Sequence, residues 1–274
     1  MLPTPERTAD WLAAVARRNS RRTFDTTPAA AAALDDIEAL CQRLRPYPDA
    51  RVVLVREPAA DIFKGIIGSY GKVTGSPHAL LFIADKRGPF ADQHLGYTGE
   101  AVVLEATAQS LSTCWIGGFF DPTRAESLVS LTAHERILAV SPLGVAASLT
   151  SGTERAMTGM AGSSKRKPLD ALAPAGTTGW PTWAVAALET ARLAPSAVNR
   201  QPWRFRWDDA ANGGSLVISA DSRWEMPKVT KRLDCGIAML HVEIAALSCG
   251  VIGSWTDLSS GLDVARFSPA EKSS

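Results

Sequence analysis

Apolar positions recur along the chain with two periods, and the switches between them divide it into elements. Thr4-Pro5-Glu6 reads as an N-cap followed by proline in the first turn, predicting a helix to about Arg17. Thr27-Pro28 repeats the device, and Leu34, Ile37, Leu40 and Leu44 then recur at helical spacing until Pro46 and Pro48. RVVLV at 51–55 and ALLFIA at 79–84 are short apolar runs of the buried-strand kind. Between them ADIFKGII has helical spacing and leads into the glycine-punctuated GSYGKVTGSP. Residues 96–111, with Val103, Leu104, Ala106 and Leu111, predict a long helix. TCWIGGFFD follows as a strand end entering a Gly-Gly turn, and Asp121-Pro122 opens another helix. ILAVSPLGVAA at 137–147 has a strand pattern. Gly, Ser, Thr and Lys dominate 150–180, the one stretch composed like a linker. A helix over 181–194, strands WRFRW and SLVIS, a helix over 233–249 and a strand around VARF complete the order.

The pattern repeats. A displacement of 140 residues sets LGYTGEAVVLEATAQSLSTCW (95–115) over CGIAMLHVEIAALSCGVIGSW (235–255). Gly96 meets Gly236, Val102 meets Val242, Ala106 meets Ala246 and Trp115 meets Trp255. Each copy is an Ala-rich helix followed by a short strand ending on tryptophan, with similar elements before it. Two related halves packed as an internal pseudo-dimer are therefore expected.

Composition narrows the function. With 274 residues, 46% of them hydrophobic, the chain can bury a sizeable core, and a net charge of +1 gives no reason to expect nucleic acid or an anionic membrane. Cys41, Cys114, Cys235 and Cys249 show no CxxC spacing, the mark of reduced thiols in a cytosolic protein. WLAAVA is too short for a signal segment, and no apolar run reaches membrane-spanning length, so a cytoplasmic location is expected. His78, His94, His134 and His241 lack metal-ligand spacing. GIIGSYGKV fails as a P-loop, and neither GxGxxG after a strand nor GxSxG is present. With no self-sufficient acid–base or nucleophile set, an organic cofactor would have to carry the chemistry.

Four segments could hold such a group. RRNSRRTFD (17–25) surrounds Ser20 with four arginines, which suits either a solvated helix end or a phosphate site. Gly117 and Gly118 follow a strand and let a ligand approach the backbone closely. SSKRKPLDAL (163–172) offers further cations, as solvated surface or as part of the same phosphate site. LAPSAVNRQPWRF (193–205) packs a hydroxyl and two amides between prolines, a rigid donor-rich platform or an elaborate loop.

As a set, RRNSRRTF, GYTGEAVVLEATAQSLSTCWIGG, SSKRKPL and LAPSAVNRQPWRF followed by LDCGIAMLHVE resemble the FMN-dependent nitroreductase family, more narrowly its TM nitroreductase branch. The resemblance runs from Arg17 to about Trp255. It implies an α+β fold of two nitroreductase-like repeats, antiparallel or mixed sheets flanked by helices. Residues 1–160 would form the first repeat, 161–180 a linker with the basic segment, and 181–274 a shorter second repeat. The arginine segment lies in one half and the platform in the other, which implies one FMN site per chain and makes a monomer plausible. Arg18, Ser20 and Arg22, with Asn19 between them in place of a commoner residue, match phosphate-binding positions, and Arg166 the basic position that joins them. Pro195, Ser196, Asn199 and Gln201 match the segment reaching the flavin from the other half. Gly117 and Gly118 match the turn whose N–H groups face flavin N5 and O4, and Lys72 a cation near N1 and O2. Ser110 and Ser112 depart from the family's glycines. The implied activity is electron transfer from NADH or NADPH through FMN to a small acceptor such as a nitroaromatic or quinone. The alternatives are FMN storage without turnover, and a pseudo-enzyme that holds no flavin.

Overall fold

The computed structural model describes residues 4–57, 60–64, 73–148, 165–209, 213–223, 225 and 228–270. Helix α1 covers Pro5–Arg17, with the Thr4 hydroxyl accepting from Arg7 N–H as the sequence predicts. Helix α2 is Ala31–Arg43. It starts after Ala30, so Thr27-Pro28 does not cap it; the Thr27 N–H instead donates to the Asp25 carboxylate in a local turn. Strands β1 (Ala50–Val55), β2 (His78–Asp85), β3 (Ser112–Thr113), β4 (Ile116–Gly117) and β5 (Glu135–Gly144) form one antiparallel sheet. Its order is β1-β2-β5-β3, with β4 also on β5. Of ADIFKGII, the described residues Ala60–Lys64 form a 3-10 turn rather than an α-helix. Helix α3 (Ala91–Ala108) separates β2 from β3, and the short α4 (Pro122–Glu126), capped by Asp121, precedes β5.

A second antiparallel sheet, ordered β6-β7-β9-β8, is built from β6 (Trp203–Asp208), β7 (Ser215–Ala220), β8 (Gly253–Asp257) and β9 (Asp263–Pro269). Helices α5 (Leu169–Leu172) and α6 (Thr182–Ala191) precede it, and α7 (Lys231–Ser248) runs between β7 and β8. The stretch composed like a linker is partly built into the body: Leu172 and Ala173 join the main core. The fold is thus α+β, with two antiparallel sheets and helices, and no helix among the described residues is long and apolar enough to cross a membrane.

Helices α3 and α7 cross at the centre of that core. Both are buried nearly all round, which erases the amphipathic stripe of a surface helix. Their approach requires glycine at two places. A Cβ on Gly96 would collide with the Leu233 carbonyl, and one on Gly236 with the Gln93 carbonyl. The same crossing explains why α3 begins at Ala91, five residues before the expected start at 96. Its two glycines weaken helix propensity but serve close packing, Gly96 against the α7 backbone and Gly99 against the Trp115 and Phe82 rings.

The two glutamates buried in this interface are paired, as burial demands. Glu100 accepts from Trp115 Nε1 at 2.8 Å and bonds His241 Nε2 at 3.0 Å. Glu243 accepts from Trp255 Nε1 at 2.8 Å and from the Tyr97 hydroxyl at 2.9 Å. Each glutamate therefore holds a tryptophan beyond its own helix and one group of the opposite helix. At the N-terminal end of α3, His94 stacks on Tyr47 with ring centroids 3.8 Å apart. Its two nitrogens reach Asp49 at 2.7 Å and Asp257 at 2.9 Å, joining β1's approach to β8's end.

Candidate functional site

The arginine segment is placed by the end of α1. Arg18 caps the helix, its N–H donating to Ala14 O at 2.8 Å, and the chain then runs extended. Ser20 bridges to Thr113, Thr23 to Thr74 and Phe24 to Ala146, so the segment is stitched to the rim of the first sheet. Alternation along an extended chain sends Arg21 one way, where its Nη2 reaches Ala147 O at 2.9 Å, and Ser20 and Arg22 the other. Asn19 stays local, its amide donating to Arg17 O at 3.3 Å.

The platform lies between α6 and β6 in a strained backbone. Val198, Asn199 and Gln201 have φ of 46°, 55° and 46°, the left-handed region that costs a non-glycine residue about 1–2 kcal/mol. Side chains fix it in place. Ser196 Oγ accepts from Gln201 N–H at 2.9 Å. The Gln201 side-chain carbonyl accepts from Lys167 N–H at 2.8 Å, while its amide donates to Asn199 and Lys165 oxygens. Lys167 Nζ donates to the carbonyls of Arg200 and Gln201, both at 2.8 Å. The basic segment and the platform, some thirty residues apart in the chain, are thus one laced unit, with Arg166 Nη1 donating to Asn199 Oδ1 at 3.3 Å.

The arginine segment and the basic segment set like charges near one another. Arg166 is held below the usual guanidinium range, first by burial and then by the positive charges of Arg18 and Arg192. Arg18 comes from the arginine segment, Arg166 from the basic segment and Arg192 from the end of α6. Arg192 Nε is buried with no hydrogen-bond partner among the described residues. Three cations gathered in partly desolvated surroundings repel one another and are relieved by an anion.

Gly117 ends β4 and Gly118 begins the turn after it, at φ 76°. What faces them is the segment before α7: the Val229 side chain lies against Gly117, and the aliphatic stem of Lys228 crosses Gly118. Arg200 Nη2 donates to Val229 O at 3.0 Å, so this segment is tied to the platform. Lys72, expected near the same place, lies outside the described residues. The arrangement therefore offers a cationic end, a donor-rich platform and a backbone turn, a set that suits an elongated ligand with a phosphate at one end.

The family described as Putative TM nitroreductase matches residues 10–246. The chain belongs to that family. Among solved structures, a protein titled a putative nitroreductase from Thermotoga maritima is 21% identical, with a TM-score of 0.56 over 94% of this chain and 92% of that one. An FMN-dependent nitroreductase from Clostridium difficile is 15% identical, covering 50% of this chain and 88% of its own at a TM-score of 0.43. A nitroreductase with bound FMN from Bacteroides fragilis is 17% identical, covering 52% and 91% at a TM-score of 0.41. No curated protein matches the chain.

In this TM nitroreductase family member, no motif in the sequence assigns a site role to three residues of the candidate site. Arg192 was hidden as one cation on an Ala-rich helix. Lys228 sits in a loop with no motif. Asp234, in the first turn of α7, accepts from Ala197 N–H at 3.1 Å and from Arg200 Nε at 2.6 Å while only 1% exposed. Its carboxyl is pushed up to about 6, chiefly by burial and against the pull of Arg200.

Proposed function

We propose that the chain binds one FMN and passes electrons from NADH or NADPH to a small acceptor such as a nitroaromatic or quinone. The observation that carries this reading is the gathering of Arg18, Arg166 and Arg192 beside the Asn199–Gln201 platform. A phosphate dianion relieves their repulsion, and Ser20 and Arg22 supply further donors from the extended arginine segment. The protein's part is binding and orientation: Pro195 and Ser196 shape the platform's entry, Asn199 and Gln201 fix its shape through amides bonded to Lys165 and to each other, and the Gly117–Gly118 turn admits a ring close to the backbone. Bound FMN would supply the hydride and electron chemistry. Donors or cations beside the ring, Lys228 among the described ones and Lys72 in sequence, would stabilise negative charge in the reduced state.

In the same reading the chain is two related halves, 1–160 and 181–274, joined by 161–180. The reciprocal contacts of Gly96 with Leu233 and Gly236 with Gln93 support it, because they match the 140-residue displacement. So do Trp115 and Trp255, also 140 residues apart, each donating to a buried glutamate of the helix before it. One arginine segment and one platform then make one site, with the pairing surface already used within a cytoplasmic monomer.

The test is an absorption spectrum of the purified protein followed by titration with NADH and NADPH. One FMN per chain and bleaching by either nucleotide are expected; two FMN per chain refute the single-site reading. Arg166→Ala should lose FMN but keep affinity for riboflavin, which lacks the phosphate; equal loss of both would remove Arg166 from the phosphate end. A second reading, storage without turnover, draws on Val229 and Lys228 lying across the glycine turn. It predicts a bound flavin that neither nucleotide reduces.

A further inference from the structure

The platform holds three left-handed residues within four positions, and such a backbone persists only where its surroundings over-determine it. A single carboxylate grips both sides of that stretch. Asp234 Oδ1 takes the N–H of Ala197, just before it, and Oδ2 takes Nε of Arg200, within it. The same guanidinium continues to Val229 O, and Val229 in turn lies against Gly117. Two elements with no sequence proximity, the platform and the cover of the glycine turn, thus meet at one ion pair. A carboxylate this deeply buried is costly unless its partners are well placed.

We propose that Asp234 is the positioning residue of the platform, acting through Arg200 to hold Asn199 and Gln201 in binding geometry and to seat Val229 over the glycine turn. The proposal rests on the flavin reading for the identity of the ligand, and on the hydrogen bonds alone for the positioning. The charged and titratable groups that face Asp234 are Arg200 from the platform and Glu225 from the segment before α7, with Cys235 beside it on the helix. Arg200 and the Ala197 N–H stabilise its ionised form, and Arg200 alone does so as a charge. Relative to a state in which the guanidinium has left and Asp234 stays buried, Arg200 lowers the carboxyl, so the ion pair is favoured above about pH 6 and weakens as pH falls through that value.

The experiment compares full-length wild type with Asp234→Asn, Arg200→Met and Arg200→Lys. Amide exchange across 196–201 in flavin-free protein reads the positioning without any ligand. FMN titration by fluorescence quenching from pH 8 to pH 5 reads its consequence. Asp234→Asn and Arg200→Met should each speed exchange at least about tenfold and weaken FMN by about tenfold, with Arg200→Lys recovering part of both. Wild type should lose affinity between pH 7 and pH 5 more steeply than Asp234→Asn, a difference in which the titration of the FMN phosphate itself cancels. Wild-type exchange in both Asp234→Asn and Arg200→Met overturns the proposal, as does a pH profile identical in wild type and Asp234→Asn. If wild type binds no FMN, the flavin reading fails while the exchange arm still decides the positioning. Arg200→Met, altering a partly exposed side chain, serves if Asp234→Asn does not fold.

Discussion

His94 gives a stability prediction whose sign and size follow from its surroundings. Burial works against its protonation, but hydrogen bonds to Asp257 and Asp49 and their charges prevail and raise the imidazole from 6.5 to about 9. A raised histidine stabilises the folded state fully below its unfolded value and loses that contribution as pH climbs through the folded one. Linkage gives about 3 kcal/mol at pH 6, about 2.5 at pH 7, about 1.5 at pH 8 and about 0.5 at pH 9. The perturbation is His94→Gln, which keeps a side chain of similar length without the titrating ring. Urea unfolding of both proteins at each pH is the assay, with the slope against urea checked for two-state behaviour. Loss of the Tyr47 stack adds an offset that does not vary with pH. The gap between wild type and His94→Gln should therefore shrink by about 2–3 kcal/mol from pH 6 to pH 9. A gap that stays constant across that range would show that His94 is not held charged between the two aspartates.

Three further outcomes are expected. Gly236→Ala and Gly96→Ala should each cost about 2–3 kcal/mol in urea unfolding, since either Cβ drives the two central helices apart; unaffected stability would refute their backbone contact. Glu100→Leu leaves the Trp115 and His241 donors unpaired and should cost about 3–5 kcal/mol, while Glu100→Gln, which keeps an acceptor, should cost less than half of that. Val198→Gly should be neutral to about 1 kcal/mol stabilising in flavin-free protein, where valine to glycine at an ordinary exposed site loses about 1 kcal/mol; a clear loss would mean that the left-handed backbone there is unstrained.

Local signals were legible and remote ones were not. Thr4-Pro5 and Asp121-Pro122 announce their helices because a cap is a contact between near neighbours. Thr27-Pro28 carries the same letters, yet Asp25 captures Thr27 first, and nothing in the dipeptide reveals that competition. The strands were recognisable from their apolar runs, since both sheets bury most of their central residues. Of the candidate site, the residues inside motifs were visible: Arg18, Ser20, Arg22, Arg166 and the platform. Arg192, Lys228 and Asp234 were not, because each matters through a partner brought close only by folding. Asp234 is the clearest case. As a sequence letter it is a favourable acid in a helix's first turn, and only burial against Arg200 makes it a clamp.

The crossing of α3 and α7 has a consequence for how the protein is made. The crossing brings together segments about 140 positions apart, Gly96 against Leu233 and Gly236 against Gln93. At about 5–20 residues per second, a ribosome needs roughly 7–30 s to deliver the second helix after the first has emerged. During that interval the side of α3 that packs on α7 is uncovered, while α1, α2, β1 and β2 can already cover the rest of it. The nascent first half is thus a natural client for a chaperone, and slowing synthesis over the second half should raise the aggregated fraction without altering a single native contact.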